Sequence, residues 1–346
     1  MLSQRDVLPY LLGKGLLRSS NVVRGTAQVV NASRRNSNFK VFCEPGWGCF
    51  VKQGLGSDRI ASVTHEADVL RRLPPQLRNW LPKMRLFDDQ CCVLVTGLDR
   101  QALNLREVHT RGCFPSRDPR DTGTALAALH SHRPLENRWL SEWKSPPWVL
   151  FAHRPNPSAL VLRSAAGIQF IRLLQKFNSA RVALEELAAS WKPTSLVHAD
   201  VRWDNLIRTR KGLIIVDWEL AGLGDPFWDV GSMFAEYVMH WLRAIPFTAH
   251  VPPRESLARS RHSLQDMQPP LRAFWKAYRS GCPDVTQAGL WSSVRYAGAR
   301  MIQSILEQLQ WAPHLGGDSI YGLQVAVNFL ERPHDAGEHL FGVPNP

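Results

Sequence analysis

Apolar residues recur along this chain at two spacings, and the change from one to the other divides it. Near the start the spacing is short. Gly48-Cys49-Phe50-Val51-Lys52-Gln53 alternates well enough for a strand and follows a turn signal at Glu44-Pro45-Gly46. Val93-Leu94-Val95-Thr96-Gly97-Leu98 reads as a second, buried strand running into a connector. Between them, apolar positions 63, 67, 70 and 73 follow a helical repeat over Ala61 to Leu73. From about residue 99 onward the helical period dominates. Asp121 to His132 carries Leu126 and Leu129, and Ile168, Ile171, Leu174 and Phe177 share one face. Leu290, Val294, Ala297, Met301 and Ile305 form another such stripe. Both stripes read as core. The exception in this half is Leu213 to Val216, a short apolar run that reads as a buried strand. The pattern predicts a first unit over 1–97 and a second over 98–346.

Composition narrows the class. The chain has 346 residues, 44% of them apolar, enough for one two-lobed unit or two domains with sizeable cores. No stretch reaches the roughly 18 apolar residues of a membrane span, so no membrane partner is expected. Arg5 and Asp6 interrupt the first apolar stretch, which argues against a signal peptide. Six cysteines occur, none in a Cys-x-x-Cys pair, so a zinc site is not expected. Cys91-Cys92 is expected in a buried strand, and reduced thiols fit a cytoplasmic location. The net charge is +12, and the first 60 residues hold nine Lys or Arg against three acids, half of that excess. A basic first unit suits a nucleotide. The interleaved aromatics of a nucleic-acid surface are not evident, so no specific nucleic-acid partner is expected. The basic balance also argues mildly against a strongly cationic substrate.

The densest chemistry lies at His198-Ala199-Asp200-Val201-Arg202-Trp203-Asp204-Asn205, followed by Val216-Asp217-Trp218-Glu219. Phosphoryl transfer needs an orienter for the attacking hydroxyl, oxygen ligands for magnesium and a cation on the phosphates. Asp200 can accept the hydroxyl proton. Asn205 offers a neutral oxygen ligand, and Asp217, at a strand end, a carboxylate for a hard cation. Lys211-Gly212 reads as a hairpin turn, so Asn205 and Asp217 are expected to face each other across a short antiparallel pair.

The pattern His-x-Asp-x-x-x-x-Asn, the strand ending in Asp217-Trp218-Glu219, and Gly224-Asp225-Pro226-Phe227-Trp228-Asp229-Val230 together resemble the aminoglycoside phosphotransferase family. That family is related to choline kinases and, more distantly, to protein kinases. The resemblance runs from about Val22 to about Leu330. It implies an α+β, two-lobed, protein-kinase-like fold: a small antiparallel sheet with one helix, then a larger, mainly helical lobe. It also implies ATP and Mg²⁺ as cofactors and a small-molecule hydroxyl as acceptor, such as one on an antibiotic or natural product. Lys52 resembles the family's phosphate-binding lysine, and Glu66 its helical partner. The backbone of Thr96, Gly97 and Leu98 would meet adenine. His198 would brace the catalytic loop around Asp200, with Asn205 and Asp217 on the metal. Asp225 and Asp229 are expected to fix loops through backbone amides, and His130 to pack or cap.

Several alternatives stay open. The loop 31–38 lacks the glycines of a protein kinase, and Arg34 or Arg35 either adds charge to phosphate or sits in a plain polar hairpin. Arg202 and Trp203 either touch substrate or pack, Asp204 is expected to be exposed, and Glu219 is an outer partner of the metal site. Residues 246–272, basic and Pro-rich, read as a long loop, either a lid or a linker. Glu331, Asp335 and Glu338 read as a solvated tail. Other acceptors (choline-like amines, a sugar, an amino acid) share the pattern. A nucleotide-binding pseudokinase is the rival from another class, and the intact set of Lys52, Asp200, Asn205 and Asp217 argues against it.

Overall fold

The computed structural model describes residues 2–33, 36–43, 46–110, 114–132, 145–156, 164–247 and 251–343. It divides into two compact units: Met1–Cys113 with Trp203–Ala221, and Phe114–Arg202 with Gly222–Pro346. This division differs from a cut at residue 97. The hairpin that carries Asn205 and Asp217 returns to the first unit, because its strands pair with the segment that follows the main sheet. Sequence distance gave no sign of that pairing.

Among the described residues, the first unit holds a five-stranded sheet. Its strands are β1 (Gln28–Asn31), β2 (Ser37–Cys43), β3 (Trp47–Gln53), β4 (Met84–Asp88) and β5 (Val93–Gly97), in the order β1-β2-β3-β5-β4. All pairings are antiparallel. The period of two along β3 sorts its side chains. Cys49 and Val51 join Phe39, Val41, Val93 and Val95 in a core that also takes Val7 and Leu11 of a first helix, α1 (Val7–Gly13). Lys52 points to the other face, the one where Leu94 packs with Val63 and Ala67 of α3 (Ser57–Arg72). The expected helix over 61–73 therefore starts four residues earlier. It is also not the lone helix of this unit, since α1, a short α2 (Ser19–Val23) and α4 (Leu105–Thr110) accompany it.

Cys91-Cys92 lies in the turn between β4 and β5, with Cys91 exposed and Cys92 in the left-handed region at φ 48°. Within 31–38, Asn31 ends β1, Ser37 and Asn38 begin β2, and Ala32 donates its N–H to Asn38 O at 2.8 Å. Arg34, Arg35, Glu44, Pro45 and Cys113 lie outside the described residues. The short strand run is real but alternates: in β9 (Gly212–Ile215) Leu213 and Ile215 are buried and Ile214 is half-buried. It pairs with β8 (Leu206–Thr209) through a turn at Arg210-Lys211, one residue before the expected one, and β8 pairs in turn with β6 (Leu103–Asn104).

The second unit is mainly helical, with one small pairing of β7 (Ser195–Val197) and β10 (Gly222–Gly224). Its described helices are α5 (Arg117–Ser131), α6 (Ala165–Leu174), α7 (Asn178–Ala189), α8 (Pro226–Arg243), α9 (Pro253–Ala258), α10 (Leu264–Gly281), α11 (Gln287–Gln308), α12 (Gly317–Glu331) and α13 (Pro333–Phe341). The stripe on α11 is buried as expected. The one on α6 is not: Ala166, Phe170, Ile171 and Leu174 form its buried face, Ile168 is half-buried and Phe177 lies beyond its end.

Residues 246–272 are also not one long loop, since they contain α9 and the start of α10. A reciprocal capping box, Ser263 with Asp266, starts α10, and the helix runs on through Pro269 and Pro270 with Met267, Leu271, Phe274 and Trp275 buried. The acids after Phe329 stand on the exposed faces of α12 and α13 rather than on a tail. No helix among the described residues is long and apolar enough to cross a membrane.

Two features of this fold can be tested. Gly231 of α8 lets the helix approach α11 closely: a Cβ there would lie 2.6 Å from Ser293 O and 2.8 Å from Tyr296 Cβ. Backbone cannot move as a side-chain tip can, so Gly231→Ala should cost about 2–3 kcal/mol, read from urea denaturation. In the first unit Asp88 joins α1 to β4, accepting from Lys14 Nζ at 2.7 Å and Tyr10 Oη at 2.9 Å. Lys14, then Tyr10 and the Cys91 amide against the opposing effect of burial, hold its pKa at about 2 against an ordinary 3.8. A depressed carboxylate stabilises the fold above its unfolded pKa and loses that contribution as pH falls through the folded one. Asp88→Asn should therefore lower the urea midpoint at neutral pH, and the deficit should shrink as pH falls from 3.8 towards 2.

Candidate functional site

In the first unit the site is built around one buried ammonium. Lys52 is 5% exposed, and its Nζ lies 2.8 Å from Glu66 Oε2, 2.7 Å from Asp217 Oδ1 and 2.7 Å from Glu219 Oε2. Three elements thus meet at one atom: β3, α3 and the turn after β9. Burial alone would lower the Lys52 pKa, but Glu66, Asp217 and Glu219 outweigh it and raise it. Glu66 is buried too, and that burial raises its carboxyl against the opposing pull of Lys52. Its second oxygen, Oε1, accepts the Trp218 N–H at 3.3 Å. Ser62, one helical turn before Glu66, donates to Glu219 Oε2 at 2.7 Å.

Asp217 sits in the left-handed region, φ 68° and ψ 59°, which costs a non-glycine residue about 1 kcal/mol or more. Its neighbour Trp218 is buried and donates Nε1 to Ile215 O at 2.7 Å, anchoring the bend. Across the hairpin Val216 donates its N–H to Asn205 O at 2.9 Å, so Asn205 and Asp217 flank the open end of the β8–β9 pair. The carboxylate oxygens of Glu66, Asp217 and Glu219 lie within 4.8 Å of one another. Three carboxylates facing one ammonium leave an excess of negative charge, and hard oxygen donors of this kind suit Mg²⁺.

Thr96 is buried at the end of β5. The Gly97 N–H goes to Lys83 O at 2.8 Å and the Leu98 N–H to Gly48 O at 3.0 Å. Gly48 permits this approach, since a Cβ there would lie 2.6 Å from Leu98 O. The N–H groups of Gly97 and Leu98 are thus engaged within the sheet region.

In the second unit the geometry centres on Asp229, in the first turn of α8 and fully buried. Its carboxylate accepts the His198 N–H at 2.7 Å and the Ala199 N–H at 3.0 Å. Ala199 is held at φ 66°, and Trp228 Nε1 donates to its carbonyl at 3.1 Å. Asp200 follows, its N–H directed to His198 Nδ1 at 3.3 Å. Asp225 caps α8, accepting from Phe227 N at 3.0 Å and Tyr296 Oη at 3.0 Å. Burial raises the carboxyl pKa of Asp225, and raises the phenol of Tyr296 beside it. His130 is buried against Tyr278 Oη at 2.8 Å and Asp229 Oδ2 at 3.3 Å, a packing position.

Other expected residues take structural places. Trp203 is buried and packs edge-on to His109 at 4.2 Å. Asp204 is half-buried rather than exposed, in an ion pair with Arg106 at 2.9 Å.

Sequence reasoning missed Arg300. It is 3% exposed on α11, with Nη2 2.6 Å from Asp200 Oδ1. It adjoins the expected apolar stripe on the helix but lies outside it, so the search for a core face passed it over.

Residues 50–274 match the phosphotransferase enzyme family. The chain belongs to that family. It is a small-molecule phosphotransferase with a protein-kinase-like fold. No curated protein matches it in sequence. Among solved structures it is similar to a choline/ethanolamine kinase family protein from Mesorhizobium loti, at 17% identity and TM-score 0.55 over 95% of this chain and 97% of that one. The choline kinase LicA from Streptococcus pneumoniae, in its complex with AMP, gives 16% identity and TM-score 0.53 over 94% and 97%. The macrolide 2′-phosphotransferase MphH from Brachybacterium faecium gives 13% and 0.53 over 95% and 98%. At these identities the likeness is one of fold.

The buried charge cluster of the phosphotransferase predicts a stability pattern. Lys52→Met leaves Glu66 buried without its counter-charge and should cost about 3–5 kcal/mol. Adding Glu66→Gln should recover part of that loss, and a double-mutant cycle in urea would read the coupling.

Proposed function

We propose that this phosphotransferase moves the γ-phosphoryl group of Mg·ATP to a hydroxyl of a small molecule. The observation that carries the reading is the meeting of Lys52 with Glu66 and Asp217, beside the hairpin end that bears Asn205. In this reading Lys52 grips the α- and β-phosphates while Glu66 keeps its ammonium in place. Asp217 and Asn205 would hold a magnesium ion, which would supply offsetting charge for the phosphates. Asp200 orients the acceptor hydroxyl and takes its proton. His198 and Asp229 hold Asp200 in register through the backbone bonds of the strained Ala199 bend.

The adenine end is recognised by the backbone near Thr96 to Leu98. The described cysteines are free thiols, which fits a reducing, cytoplasmic compartment.

The test is a screen of alcohols and antibiotics with labelled ATP and Mg²⁺. Label should pass to at least one acceptor. Asp200→Asn should cut that transfer about 10²–10⁴-fold, and Asp217→Ala should abolish metal-dependent turnover. Near-normal turnover in Asp217→Ala would refute the metal assignment. Binding of labelled nucleotide without turnover by the unaltered protein would favour the pseudokinase alternative.

A further inference from the structure

One face of α11 carries polar groups at the spacing of successive helical turns: Tyr296, Arg300, Gln303 and Glu307. Tyr296 is accounted for by Asp225. Arg300 is not. It is 3% exposed, yet among the described residues its guanidinium makes one hydrogen bond, to Asp200. A guanidinium has five N–H donors in a planar fork, and a buried one rarely leaves the others unused. One turn on, Gln303 gives its Nε2 to Glu307 Oε1 at 2.9 Å, while its own Oε1 is buried with no partner. Arg202 lies on the same side, 3.8 Å from Glu307. Arg300 and Arg202 against Asp200 and Glu307 leave this face electrically balanced.

That balance has a consequence for substrate. A bare Asp200 would attract a cation and repel an anion. Paired with Arg300 it does neither, and the remaining guanidinium donors favour an acceptor that brings negative oxygens.

We propose that Arg300 determines specificity, and that the phosphate acceptor is an anionic hydroxy acid. Its carboxylate binds the Arg300 fork while Asp200 holds its hydroxyl. Arg300 and Asp200 touch, so the hydroxyl stands within a few bonds of the carboxylate. The new O–P bond forms at that hydroxyl, and the bond from the γ-phosphorus to its bridging oxygen breaks. ADP leaves with the electron pair, and the hydroxyl proton passes to Asp200. This proposal rests on the phosphotransferase reading above.

The experiment offers the full chain, with Mg²⁺ and labelled ATP, three sets of acceptors. They are short hydroxy acids (glycolate, lactate, glycerate, β- and γ-hydroxybutyrate), the matching neutral amides, and the amines choline and ethanolamine. The best acid should exceed its amide by about 100-fold or more in kcat/KM, as expected where a buried donor set would be left unpaired. Arg300→Met should collapse that ratio to within a few-fold of one, mainly through the KM of the acid. Arg300→Lys should restore part of it. A merely structural arginine would lower acid and amide alike, which overturns the proposal. Equal or better use of amides or amines by the unaltered protein also overturns it, and does not depend on any variant folding. Transfer to none of the acids overturns it as well. If Asp217-dependent ATP hydrolysis or transfer to another alcohol persists in that case, the phosphotransferase reading still stands. If no nucleotide turnover occurs at all, both fall.

Discussion

A lysine ammonium buried to 5% exposure is the constraint around which the first unit is organised. Taken out of water alone it would lose its proton or unfold its surroundings. Here Glu66, Asp217 and Glu219 each come within 2.8 Å. Each of those carboxylates is in turn fixed by something else: Glu66 by the Trp218 amide, Glu219 by Ser62, and Asp217 by a strained bend pinned through the buried Trp218. Sheet, helix and hairpin are thereby tied at one atom.

The second unit applies the same logic with the sign reversed. Its organiser is an anion, Asp229, fully buried at the start of α8 and satisfied by two backbone N–H groups. A carboxylate at a helix N-terminus is favoured by the helix dipole. Here it also offsets the cost of holding Ala199 at a positive φ. The close crossing of α8 and α11 at Gly231 brings Tyr296 onto Asp225 and Arg300 onto Asp200. Helix packing thus decides which charged groups meet at the bend after β7.

How legible this was depended on the residue. Lys52 and Glu66 could be paired in advance because a period of two and a helical repeat each assign a face, and the family resemblance supplied the pairing. The α9 and α10 helices were hidden by a rule applied too broadly. Prolines suggest a loop, although the Ser263–Asp266 capping box lies in the same stretch. Cys91-Cys92 looked like strand because two apolar residues do not reveal a left-handed turn. Arg300 was passed over because a search for an apolar stripe discards the charged position beside it, and its burial became evident only once α8 lay against α11.

By itself the sequence determined what is local: where strands and helices run, which face of each is apolar, and which chemical groups crowd between His198 and Glu219. These follow from backbone period and from spacing over a few residues. Tertiary structure alone decided which of those groups touch. Lys52 and Asp217 stand 165 positions apart, and Asp200 and Arg300 stand 100 apart. No local pattern encodes such a pairing, because it depends on how whole elements pack and on which buried charges must then find a partner.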